Sequence, residues 1–399
     1  MTAGPAGAPL DVLVIGGGQA GLAMGYYLAQ RGLSFQIVDA GAEVGHVWRS
    51  RWDSLRLFTP AQYDNLPGLP FPSSPDIYPG KDDVADYLQA YAAKFELPVR
   101  PDTMVTSLTR SNGVYVATAG GEALEARQVV VATGPFQVPF IPPIAKELDP
   151  GVRQLHSVEY RNPATMPPGT VLVVGAANSG CQIARELSAT HAVELAAGQR
   201  LPAIPQRPLG RDVWWWASTL GLDRVTAGSR LGRRLAGRDQ VIGPGPRQLA
   251  RRHGIRLRPR ATRAAGRTVT FADGDAAKYD AVVWATGFTT DHTWIDIPGV
   301  TGKQGRIMHT RGVTPSPGLY MLGHTWQHTR TSALLGWVRN DAAFLAERIA
   351  ARTDEGAAPG PAARASAASP GVRQPADAGL SRAGAGHDDG RGHPRNPLT

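Results

Sequence analysis

The first hydrophobic run, Asp11-Val12-Leu13-Val14-Ile15, is short, continuous and followed by glycines. That pattern predicts a strand buried on both faces of a parallel sheet. Apolar residues at helical spacing follow from Leu22 to Arg31, and Gly32 ends them. Phe35-Gln36-Ile37-Val38-Asp39 predicts a second strand, which makes Asp11 to Asp39 one βαβ unit. The pattern returns at Val171-Leu172-Val173-Val174, turns through Gly175 to Gly180, continues as a helix from Cys181 to Ser188 and comes back at Val193-Glu194-Leu195-Ala196. Two further runs, Val129-Val130-Val131-Ala132-Thr133-Gly134 and Ala281-Val282-Val283-Trp284-Ala285-Thr286-Gly287, predict the crossings between the two units. The fold class is α/β, with two Rossmann-like domains.

Composition narrows the class. Hydrophobic residues make up 42% and charged residues 19% of the 399 positions, ordinary for a globular protein with one or two cores. No apolar run reaches the roughly 18–20 residues that span a bilayer. Met1 to Pro9 lacks a basic-then-apolar secretion pattern. The single cysteine, Cys181, allows no internal disulfide and suits a reducing compartment, so a cytoplasmic location is expected. The net charge of +9 is concentrated between positions 200 and 267, which hold sixteen Arg, three Asp and no Lys. Aromatic residues do not interleave with those arginines as they do in single-strand binders, so nucleic acid is not an expected partner. A solvated basic face is the simpler reading. After Ala351 large apolar residues nearly vanish, and residues 352–399 read as a disordered tail.

The strongest chemical signal is the turn Gly16-Gly17-Gly18-Gln19-Ala20-Gly21. Gly16 permits the sharp exit from the strand, Gly18 lets backbone approach a pyrophosphate, and Gly21 lets helix pack on sheet, with the helix N-terminus supplying N–H donors. Asp39 closes the second strand about 20 residues later, placed for ribose hydroxyls. Its charge disfavours a 2′-phosphate, so this turn is expected to hold FAD or NAD rather than NADP. The second turn, Gly175-Ala176-Ala177-Asn178-Ser179-Gly180, keeps the outer glycines but has Ala177 in the middle. No acid ends its return strand; Gly198-Gln199-Arg200 follows, and Arg200 is suited to a 2′-phosphate. Gly175, Asn178, Ser179, Gly180 and Arg200 are therefore the candidate NADP residues.

With both turns in place, residues from about Leu10 to Ala351 resemble the class B flavoprotein monooxygenases, a group that includes flavin-containing, indole-pyruvate and Baeyer–Villiger monooxygenases. The resemblance rests on the first turn, on Gly45-His46-Val47-Trp48-Arg49, on Trp52 to Pro60, on Leu66 to Pro72, on both Ala-Thr-Gly segments, on Gly318 to Gly323 and on Trp326-Gln327-His328-Thr329-Arg330. It implies an FAD-binding domain whose first part is residues 1–152, an inserted NAD(P)H-binding domain at 153–290, and an FAD return segment at 291–351. It implies FAD at Gly16, Gly18, Gln19, Ala20, Gly21, Asp39, Trp48, Arg49, Thr133, Gly134 and Gly323. Gln327 and His328, beyond the last FAD strand, are the candidate catalytic residues.

Departures from the group's pattern refine the expected activity. Of its Phe-x-Gly-x-x-x-His-x-x-x-aromatic signature the chain keeps His156 and Tyr160 but has Pro150 and Val152 at the Phe and Gly positions. Tyr160-Arg161 departs from the Trp-Pro ending of Baeyer–Villiger enzymes, which lowers ketone insertion as an expectation. Phe58 stands where flavin-containing monooxygenases commonly carry Asn, and a Phe donates no hydrogen bond. The resemblance implies that NADPH passes a hydride to FAD, after which a C4a-(hydro)peroxyflavin oxygenates a small organic substrate at the expense of molecular oxygen. An NAD(P)H oxidase or quinone-type reductase is the alternative. A disulfide reductase needs a redox-active cysteine pair, so with Cys181 alone that reading fails unless a partner supplies thiols. No metal-ligand cluster or nucleophile elbow is present, and His46, His156, His324 and His328 are scattered. Trp214-Trp215-Trp216 cannot share one helix face, and burial is expected for that run.

Overall fold

The computed structural model describes residues 8–199, 201–236, 240–302 and 305–357. Strand β1 (Leu10–Ile15), helix α1 (Gln19–Ala29) and strand β2 (Phe35–Val38) form the first βαβ unit, as the hydrophobic pattern predicts. Beside it lie helix α2 (Lys81–Lys94) and strands β3 (Val99–Arg100), β4 (Val105–Ser111), β5 (Val114–Ala119) and β6 (Glu122–Val131). They make a seven-stranded sheet of order β3-β2-β1-β6-β5-β4, and the late strand Leu319–Met321 also pairs with β6. β6 does two jobs: its first half pairs antiparallel with β5, and Val129–Val131 pair parallel with Leu319–Met321. Val12 to Ile15 and Val129 to Val131 are at most 4% exposed, and each such side chain contributes ~1.5–3 kcal/mol by leaving water.

The second sheet has five parallel strands. β7 (Arg153–His156), β8 (Thr170–Val174), helix α3 (Asn178–Leu187), β9 (Ala192–Ala196), β10 (Arg256–Arg258) and β11 (Ala281–Trp284) follow in chain order, and the sheet runs β10-β9-β8-β11-β7. β11 is wholly buried, which is why it reads as an unbroken apolar run. His156 and Tyr160 serve this fold: the His156 ring Nε2 lies 3.0 Å from the Gly287 carbonyl, and the Tyr160 hydroxyl donates to Glu186.

The two crossings are tied to each other. Val138 and Pro139, leaving the first sheet, pair antiparallel with Thr289 and Phe288, returning from the second. This brings the rings of Phe136 and Phe288 to 5.4 Å, edge to face. The last helix, α4 (Val338–Ala357), runs beyond the boundary set by composition. A helix needs only one apolar face, and Thr353 bonds back to the Ile349 carbonyl while its Oγ1 accepts from Gln128 Nε2. The expected tail from residue 352 thus begins as helix, and the rest of it lies outside the described residues.

Candidate functional site

Both glycine turns have the backbone that their sequence predicts. Gly16 has φ +112° and Gly175 φ +107°, and a Cβ on either would lie 2.5 or 2.2 Å from the carbonyl oxygen of Ala132 or Ala285. Gly21 and Gly180 sit against the carbonyls of Gly16 and Gly175, where a Cβ would come within 1.9 and 1.8 Å. Gly18 is different. Its φ is −74°, open to any residue, and a Cβ there would meet nothing within 4 Å. The fold does not require glycine at position 18; the space in front of it is free for a ligand.

Neither α1 nor α3 has a side-chain N-cap, whereas the helices Val213–Thr219 and Arg230–Leu235 are capped by Asp212 and Ser229. The uncapped N–H groups and the positive dipole end suit a pyrophosphate. Asp39 accepts the backbone N–H groups of Gly17 at 2.5 Å and Gly41 at 2.7 Å, which fixes the carboxylate beside the turn. A carboxylate has about four acceptor sites, so capacity remains for ribose hydroxyls. The first groove is lined by Gly16 to Ala20, Asp39, Trp48, Thr133, Gly134 and Gly323, among others. These residues fit an ADP moiety.

A second cavity, of about 280 Å³, continues from the first through shared Gln19, Val47, Trp48, Phe136 and Ala333. Its other side carries Asn178 and Ser179, so the N-terminus of each nucleotide helix faces it. Trp48 Nε1 donates to Gln19 Oε1 at 3.2 Å, and Gln19 Nε2 reaches the Ala333 carbonyl at 3.4 Å, which fastens the walls together. Phe58 lines the cavity and stacks on Trp214 at 6.0 Å, while its carbonyl accepts from Trp214 and Gln206. Trp214 is buried, and Trp215 packs edge to face on Trp216, so the tryptophan run splits among environments. Arg51, also on the wall, lies 5.5 Å from the Phe288 ring, and burial together with Arg161 lowers its pKa.

Three of the expected residues do not line these two cavities. Arg49 lies off both cavities, held by Glu43 at 3.0 Å and Asp86 at 2.8 Å, because carboxylates on α2 and its neighbour compete for its guanidinium. Gln327 is not on either cavity wall: the chain turns at Trp326 (φ +61°), and the Gln327 side chain accepts from the His324 N–H. His328 is likewise absent from both walls; its backbone is fixed by Ser332 and Ala227. Ala333, Leu334 and Leu335 occupy the cavity instead. Arg200 lies outside the described residues. Beyond the end of β9, a cavity of about 780 Å³ is lined by Gly198, Gln199, Arg247, Arg251 and Arg260, among others. Among the described residues there is no cluster able to hold a metal ion, and no helix long and apolar enough to cross a membrane.

Fold and site together define an oxidoreductase of the class B flavoprotein monooxygenase type. A family model described as pyridine nucleotide-disulphide oxidoreductase matches residues 13–201. A CzcO-like oxidoreductase of Geobacillus kaustophilus is 45% identical over 341 residues, covering 85% of this chain and 98% of that protein. The chain belongs to the CzcO-like oxidoreductase family. An indole-3-pyruvate monooxygenase of Oryza sativa is 26% identical over 359 residues, covering 78% of this chain and 86% of that protein. Among solved structures, a flavin-containing monooxygenase from Stenotrophomonas maltophilia is 29% identical with a TM-score of 0.72, covering 86% of this chain and 99% of that one. The disulphide chemistry in the family model's description lacks a cysteine pair here. Cys181 is alone and buried, and burial pushes its thiol up to about 12.

Proposed function

We propose that the chain is an FAD-dependent monooxygenase that uses NADPH to oxygenate a small organic substrate. FAD occupies the first turn and NADPH the second. The observation that carries the reading is the single cavity faced by both helix N-termini: two dinucleotides seated on these turns have their reactive ends in one space. When bound, the flavin supplies hydride acceptance and oxygen activation. The protein's own part is to seat, orient and shield. Gly18 admits one pyrophosphate, Asn178 and Ser179 face the other cofactor, and Trp48, Phe58, Phe136 and Phe288 line the space with aromatic surface that excludes water. The arginines at the end of β9 suit the 2′-phosphate of NADPH, and Arg260 lies 3.3 Å from the Gly198 carbonyl there.

Phe58 favours a second reading, an NAD(P)H oxidase, since its side chain offers no hydrogen bond in the cavity. Rapid mixing of NADPH-reduced protein with oxygen separates the two. Delayed return of the oxidised-flavin spectrum, with hydrogen peroxide released only as that spectrum returns, is expected for the monooxygenase. Immediate return with one peroxide per NADPH would replace it by the oxidase.

A further inference from the structure

Asp64 has no exposed surface, yet only part of its carboxyl group is satisfied. Oδ1 accepts the Thr59 hydroxyl at 2.6 Å, and Oδ2 has no partner. Nearby charges do not compensate. The Tyr87 hydroxyl, from α2, is committed to the Leu66 N–H and the Leu69 carbonyl. Arg339, from α4, reaches the Asn65 carbonyl at 3.5 Å, and Tyr63 turns aside to stack on Trp337. Burial without a cation pushes Asp64 up to about 7. Thr59 is itself 3% exposed, and it lines the cavity faced by both nucleotide helices.

A hydroxyl has one donor and two acceptor sites, so Thr59 has two arrangements. With Asp64 ionised, the Thr59 proton points inward to the carboxylate. With Asp64 protonated, the acid donates to Thr59 Oγ1 and the Thr59 proton is free to point into the cavity. The geometry points to a proton relay: Asp64 is a buried acid that delivers one proton to the reaction cavity through the Thr59 hydroxyl. In that step the Asp64 O–H bond breaks, Thr59 Oγ1 gains the proton, and the original Thr59 proton passes to an acceptor in the cavity. Asp64 is left as carboxylate, Thr59 stays neutral, and no electrons move. The inference rests on the functional reading above, in which oxygen reacts in this cavity. Oxygenation (substrate, O2, NADPH and H+ giving oxygenated substrate, NADP+ and water) and the oxidase reaction each consume one such proton. Asp64 recovers it from cavity water between turnovers.

The test uses the FAD-loaded full chain. Infrared titration is expected to show a protonated carboxyl C=O band with a midpoint near 7, absent in Asp64→Asn. Reoxidation of the reduced protein by oxygen is expected to slow as pH rises through that midpoint. Thr59→Val is expected to slow it about tenfold and flatten the pH profile, with Thr59→Ser restoring both. If Asp64→Asn does not fold, the Thr59 pair carries the test. Wild-type reoxidation and pH profile in Thr59→Val, or no protonated carboxyl at pH below the midpoint, would overturn the relay. Failure of NADPH to reduce the unmodified protein would overturn the functional reading instead, and the infrared band would still decide whether Asp64 holds the proton.

Discussion

The two glycine turns have almost the same backbone and differ at the residue that faces the ligand. Gly18 has φ −74° and ψ −171°; Ala177, its counterpart, has −78° and −173°. Outer glycines are present in both turns because backbone carbonyls crowd them. The middle position is crowded by nothing in the protein at the first turn, and the second turn carries a methyl group there. The constraint imposed by the fold can thus be separated from the one imposed by the cofactor. The surroundings diverge in the same way: Asp39 braces the first turn, while β9 ends without an acid and opens toward arginines. On the proposed function, the first turn would seat a tight, resident pyrophosphate and the second a looser, exchangeable one.

That contrast is breakable by substitution. The largest effect is expected from Gly21→Ala and Gly180→Ala, since each new Cβ would sit within 1.9 Å of a carbonyl oxygen. Each should destabilise the protein by at least about 3 kcal/mol, read as a lowered melting midpoint. Gly18→Ala should behave oppositely: stability without cofactor within about 0.5 kcal/mol of the parent, but FAD affinity down roughly tenfold or more by titration. An equal loss of stability in the FAD-free protein would show that Gly18 serves the fold. Arg260→Ala should weaken NADPH about three- to tenfold and leave NADH unchanged in steady-state KM, the modest range reflecting its exposure. The smallest change, a few-fold tighter NADPH at most, is expected from Ala177→Gly. Unchanged binding there would mean that the methyl does not meet the cofactor.

The strands of the two nucleotide units, the glycine turns and Asp39 were legible in the sequence because they depend on local period and on backbone geometry that only glycine tolerates. Hairpin β4–β5, absent from the sequence reading, turns at Asn112-Gly113, with both residues at positive φ. The cavity wall was less legible. Phe136 and Phe288 meet only because two crossings pair, and Ala333 to Leu335 reach the site only because the preceding turn tucks Gln327 inward. Arg49 reads as a phosphate ligand until the acids of α2 are placed around it. Thr59 lies within a motif used for the resemblance and Asp64 just outside it, but no sequence period reveals that one carboxyl oxygen is buried without a partner.

The central claim is that the two turns seat different dinucleotides whose reactive ends share one cavity. Anaerobic mixing of FAD-loaded protein with NADPH tests it most directly. The account requires the flavin absorbance to bleach with one NADPH per FAD. A protein that holds FAD and is bleached by dithionite but by neither NADPH nor NADH would contradict it.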